Sequence, residues 1–313
     1  MQASVSPNTY ARLLSTDDLR KLIRKSLTDG LTGRIHVNFQ KEKTLTLFVH
    51  QGKVRQVYIR NHRAPDTNWE GLLIEYGRGD LQIESIPPRG LMFRKIVLEN
   101  LEKVKSQPSN TSQLKTMFDM AEHNNIHPTL FHILWDSAEG FILVAGRDIP
   151  LRRAVIMTKD GCNEGTLALD QITAWNEAGC HVTVHRGNIQ SQAWFEVHLN
   201  ILLENHCSRI LSQYGQLTGR VMIRSILWKI HTMAVEDGWN IETQDNEIRD
   251  ATVFPTARDT GDAYKKIISE IVAHIEPVIG HALTQNILTQ SFNSTKGVYK
   301  TIAEEFSLLG EAS

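Results

Sequence analysis

Cysteine is scarce in this chain: Cys162, Cys180 and Cys207 are scattered over 313 residues. That number and spacing exclude a disulfide framework and make a reducing cytoplasm the expected location. Long apolar runs are missing too. The longest, such as "FILVAG" at 141–146, fall far short of the roughly 20 residues a membrane-spanning helix needs, so no membrane insertion is expected. The opening stretch "MQASVSPNTYARLLSTDDLRKLIRK" has no apolar segment behind its charges and does not read as a secretory signal. Neither a G-x-x-x-x-G-K-[ST] nor a G-x-G-x-x-G loop is present, and no G-x-S-x-G elbow. Phosphate-cradle and hydrolase chemistry therefore have no motif to stand on.

What is present is an ordinary globular composition, 41% hydrophobic and 22% charged, with a net charge of −1. That balance hides an asymmetry. Residues 1–105 carry 18 Lys and Arg against 11 Asp and Glu, and residues 106–313 carry 16 against 24. A basic first third suits docking on something acidic, which includes the rest of its own chain.

The patterning predicts an α+β fold. "STDDLRKLIRKSLTDG" reads as a helix capped by Ser15 or Thr16, with Leu19, Leu22, Ile23 and Leu27 at helical spacing. The strands "GRIHVNF", "TLTLFVH" and "VRQVYIR" alternate in period two and connect closely, as in an antiparallel meander with one buried and one wet face. "HQGK" between the last two reads as a hairpin turn before it reads as a phosphate site. A helix over "TNWEGLLIEYGRGD" and a strand over "DLQIESI" complete this unit, and a short helix, "LMFRKIVLENLEKVK", follows it. The boundaries are 1–105 for the first domain, 106–114 for a polar linker around "SQPSNTSQ", 115–192 for a second unit and 193–313 for a mainly helical C-terminal region.

The second unit repeats the first imperfectly. "HPTLFHILWDSAEG" is expected to be a helix, then come strands "FILVAG" and "RRAVIMTKDG", the helix "TLALDQITAWNEAG" and the strand "CHVTVHRG". On this reading Gly33, Gly52 and Gly79 are answered by Gly140, Gly161 and Gly179, with a bulge or shifted register needed after Gly179. Further on, "AWFEVHLNILLENHCSRILSQYG" and "VMIRSILWKIHTMAVEDG" are amphipathic helices, and 239–262 is polar loop with one short strand. Pro277 either kinks a long helix or opens a second one. These C-terminal helices could be core or the interface of a homo-oligomer; periodicity does not separate the two.

The order helix, "TGRIHV", "LTLFVHQGKVRQVYI", "WEGLLIEYGRGDLQIES", with Gly33, Gly52 and Gly79, resembles the PATAN-type domain at the N-terminus of PatA-like bacterial response regulators. The stretch "LALDQITAWNEAGCHVTV" is similar to the same family's helix-to-strand ending. The resemblance covers about residues 15–90 and, less closely, 125–187. It implies signalling through protein contacts, including control of motility and cell differentiation in cyanobacteria, with no catalytic residue carried over. A receiver domain's acidic cluster with its Thr and Lys is not visible, so phosphotransfer is not implied. The C-terminal "IVAHIEPVIGHALTQNI" also resembles a small helical module attached to bacterial signalling proteins.

Candidate sites are few. His181, His185 and Cys180 on one strand, followed by His198, His206 and Cys207 on a helix, match no standard zinc spacing, so neither metal nor cofactor is expected. Lys41, Lys43, Lys53, Arg55, Arg60 and Arg63 gather around one end of the first sheet. That face is either simply solvated, a dock for an acidic protein surface, or a nucleic-acid surface stacking bases on Phe39, Phe48 and Tyr58. Arg55, Tyr58, Arg60 and Arg63 are the expected partner-binding residues. The expected function is that of a non-enzymatic adaptor, with a nucleic-acid-binding regulator as the alternative.

Overall fold

The computed structural model describes residues 8–40, 42–65, 68–99, 107–149, 151–175, 179–244 and 247–308. Strand β1 (Asn8–Leu14) leads to Ser15, whose hydroxyl accepts the backbone N–H of Asp18 and caps helix α1 (Thr16–Thr28). The strands β2 (Gly33–Phe39), β3 (Thr44–His50), β4 (Lys53–Ile59) and β5 (His62–Arg63) follow as antiparallel neighbours. Helix α2 (Trp69–Tyr76), strand β6 (Gly79–Ser85) and helix α3 (Pro88–Glu99) come next. The resulting sheet has the order β1-β6-β2-β3-β4-β5. Ile35, Val37, Leu45, Leu47, Val49, Val57 and Leu81 line one face of it, buried against Leu19 and Ile23 of α1 and Trp69 and Leu73 of α2.

Two glycines make close approaches possible. A Cβ on Gly33 would stand 1.9 Å from the Glu84 carbonyl oxygen across the β2–β6 pairing. Gly52, at φ +73°, turns β3 into β4 with its Cβ position 2.2 Å from the Leu27 carbonyl oxygen.

The opposite face of this sheet is not wet, contrary to expectation. Thr46, Phe48, His50, Gln56 and Tyr58 on it are all buried. Helix α3 reaches that face through Glu99, which accepts the Tyr58 hydroxyl, and through Arg94, 3.9 Å from Glu84. Leu91, Phe93 and Ile96 of α3 are buried as well. The apolar triplets "LFV" in β3 and "VYI" in β4 break a strict alternation, which is how a strand covered on both faces reads.

The same architecture then recurs. The elements are β7 (Gln107–Ser109), α4 (Thr111–Asn124), β8 (Thr129–Leu134), β9 (Ala138–Val144), β10 (Arg152–Thr158), β11 (Gly161–Glu164), α5 (Gly165–Thr173), β12 (Cys180–Arg186) and α6 (Gln192–Thr218). Their order along the chain copies β1-α1-β2-β3-β4-β5-α2-β6-α3, and the second sheet, β7-β12-β8-β9-β10-β11, copies the first strand for strand.

Two expectations change in consequence. The segment 127–140 is not a helix but β8 and the beginning of β9, with the helix lying upstream over 111–124. Thr129, Phe131 and Ile133 alternate with Leu130 and His132 in a segment rich in aromatic and β-branched residues, and those prefer a pleated surface. Within the stretch expected as linker, Gln107–Ser109 instead pairs with β12 as the counterpart of β1, and α4 begins at Thr111. The glycine correspondence also shifts. Gly79 opens β6 and Gly179 directly precedes β12, but Gly140 lies inside β9 and Gly161 opens β11, one strand out of step with Gly33 and Gly52.

Beyond α6 come α7 (Arg220–Glu236), a hairpin of β13 (Ile241–Gln244) and β14 (Glu247–Asp250), α8 (Ala257–Ile279), α9 (His281–Asn293) and α10 (Gly297–Glu305). The polar stretch 239–262 therefore contains two short strands and the first turns of α8. Pro277 lies in the last turn of α8, and the break before α9 falls at Gly280, φ +83°.

The chain divides into two compact units. The first holds Met1–Asp119, Leu130–Leu143 and Arg152–His185, thus most of both sheets; the second holds Met120–Thr129, Val144–Leu151 and Arg186–Ser313. Among the described residues no helix is long and apolar enough to cross a membrane.

Candidate interaction surface

The four residues expected to bind a partner do not form one patch. Tyr58 is 1% exposed, packed edge-on against Phe48 at 5.3 Å, with its hydroxyl on Glu99. Arg63 stands opposite it in the β4–β5 register and is half-buried. Arg55 is the extra residue of a β-bulge, where Phe48 pairs with Gln56 and Val49 with Val54. It too is half-buried, and burial lowers the pKa of its guanidinium. Only Arg60 is exposed, in the β4–β5 turn at φ +48°. Of the wider basic cluster, Lys53 is exposed, Lys43 lies 4.3 Å over the Tyr76 ring, and Lys41 falls outside the described residues. Phe39, Phe48 and Tyr58 are all buried, so this face offers no stacking platform for bases.

Inside the first unit, both sheets contribute to one charged seam. Arg34 of β2 pairs with Glu84 of β6 at 3.0 Å. Arg94 of α3 lies 3.9 Å from Glu84 and donates to Glu139 of β9, while His132 of β8 donates to the other oxygen of Glu139 at 2.7 Å. His132 stacks on Phe141 at 4.7 Å, and Arg94 lies 5.7 Å from the same ring. Burial opposes the Glu139 charge, but the His132 hydrogen bond and the Arg94 charge outweigh it and hold this carboxyl below the usual range. His185 lies 6.4 Å from His132, its pKa lowered to about 4 by burial and by the His132 charge. Each carboxylate is matched by a cation and each contact crosses between elements, so the seam works as a clamp across the two sheets.

The second unit has a buried polar centre of its own. The Tyr264 hydroxyl of α8 donates to Asp250 of β14. Asn200 of α6 donates to the Asp250 carbonyl oxygen at 2.9 Å, Thr252 N–H to its carboxylate at 2.8 Å, and Glu204 accepts the Asp250 N–H at 3.2 Å. Burial raises the Asp250 pKa even so. This network ties α6, the hairpin and α8 together. His198 and His206 of α6 are buried, each with its pKa lowered to about 4, chiefly by burial. His181 is exposed whereas His185 is buried, although the two were expected on one strand face. Among the described residues no group of three or more His, Cys, Asp or Glu is placed to hold a metal ion.

The surface feature that sequence reading missed lies on α7. Ile223, Ile226, Leu227, Ile230 and Ala234 form its buried face. Away from them Val221, Trp228 and Val235 are 76%, 69% and 62% exposed. The spacing i, i+7, i+14 was the available signal, hidden because the inner face already accounted for the helix's amphipathic pattern. Comparison with protein families, curated proteins and solved structures finds no match to this chain.

Proposed function

We propose that the chain is a non-enzymatic signalling or regulatory adaptor of the bacterial cytoplasm that works through protein contacts. Its first unit carries the PATAN-like pattern, and the pathway in view is control of motility or cell differentiation. The observation that supports this reading is the exposed apolar stripe of α7, because a surface helix of a self-sufficient unit needs only one apolar face.

The test is affinity capture from a native lysate with tagged full-length chain, with and without nuclease, repeated with Trp228→Glu. Nuclease-resistant recovery of discrete proteins, reduced in the variant, is the expected outcome. Partners that all vanish with nuclease would replace this reading with nucleic-acid binding through the basic turn at Lys53 and Arg60.

A further inference from the structure

We infer that the α7 stripe is a self-recognition surface, and that a second copy of this chain lies antiparallel on it with Trp228 at the two-fold axis. This rests on the protein-contact reading and names the partner. Residues seven apart on an α-helix drift by only about 20°, so Val221, Trp228 and Val235 form one narrow line. That line is roughly 21 Å long at helical rise. Beside it stand Ser225 and Thr232, short side chains one turn after Val221 and Trp228, which allow a second helix to come close.

The charges choose both the partner and its direction. The start of the stripe is basic, with Arg220 and Arg224, and its end is acidic, with Glu236; all three are exposed. Other charges here are already used within the chain: Lys229 bonds Glu270 and Lys266 bonds Asp237, each at 2.5 Å. Among the described residues Arg220, Arg224 and Glu236 enter no ion pair. A parallel copy would set basic end against basic end. An antiparallel copy brings the basic end of each helix alongside the acidic end of the other, with Val221 against its Val235 and the helix dipoles head to tail. One helix pair is a small interface, so affinity on the order of micromolar is expected.

Sedimentation of the full chain from about 1 to about 100 µM should show a dimer growing in with concentration. Trp228→Glu should stay monomeric with an unchanged thermal melt, since Trp228 packs in no core. Arg220→Glu with Arg224→Glu, or Glu236→Arg alone, should weaken pairing by roughly threefold to tenfold, and all three in one chain should restore it. In a Cys162→Ser background, Trp228→Cys should cross-link to itself and Val221→Cys should cross-link to Val235→Cys in a mixture, but not to itself. A wild-type chain that stays monomeric overturns self-pairing while leaving the capture experiment to judge the adaptor reading. So does a dimer that survives Trp228→Glu, and Val221→Cys self-linkage overturns the antiparallel arrangement.

Discussion

At the scale of single residues, environment separates side chains that look alike in the sequence. Tyr58 and Arg60 are two positions apart, yet one closes a core and the other stands in water. Arg60→Glu should leave stability within about 0.5 kcal/mol, as exposed substitutions do. If the basic turn contacts a partner, that change should still weaken capture. Arg63, half-buried opposite Tyr58, is the poorer choice for charge reversal because loss of capture there would be mixed with loss of fold. Tyr58→Phe removes a buried donor from Glu99 and should cost about 1–3 kcal/mol in denaturant unfolding. An unchanged midpoint would show that hydroxyl to be idle. The inner-face residues of β3 and β4 were legible in the sequence; the covering of their second face was not, because α3, Pro88–Glu99, supplies that cover from well beyond Ile59, where β4 ends.

At the scale of elements, α1, β2, β3, β4, α2 and β6 lie where period and capping place them, including the Ser15 cap and the glycine turns. Gly33→Ala should unfold the first unit or strip the β2–β6 pairing, because the added Cβ meets backbone at 1.9 Å rather than a movable side chain. A normal melt for that variant would mean the two strands can separate freely. The elements that were missed or misread carry little local signal. β1 and β7 are short edge strands that depend on β6 and β12 for their hydrogen bonds. β8 is buried on both faces, so its apolar run has no period to betray it. Helix α3 joins the sheets, and Arg94→Met should destabilise the first unit by about 3 kcal/mol by leaving Glu139 and Glu84 undercompensated. A smaller loss would move the weight of that junction to Phe93 against Phe141.

At the scale of the whole molecule, buried histidines make stability depend on pH. His185 in the first unit, and His198 and His206 in the second, have pKa values near 4 in the folded chain. The unfolded chain binds a proton on each near pH 6.5, so it holds more protons than the folded one between about pH 6.5 and 4. Stability should therefore be intact above pH 6.5 and fall progressively below it, by about 2 kcal/mol per histidine at pH 5. Glu139 acts in the same direction further into acid, since its lowered carboxyl pKa favours the fold only while it stays ionised. Urea midpoints at pH 7 and pH 5 check this, and a flat profile would sink it. The sequence by itself determined the α+β class, the helical C-terminal region and the first sheet's inner face, because those follow from local periodicity. Only the tertiary structure decided that the repeat suspected in the sequence matches strand for strand, that the basic strand's tyrosine is buried, and that α7 keeps a second apolar face in solvent. Those three depend on which distant segment lies against each face, and local spacing carries no record of that.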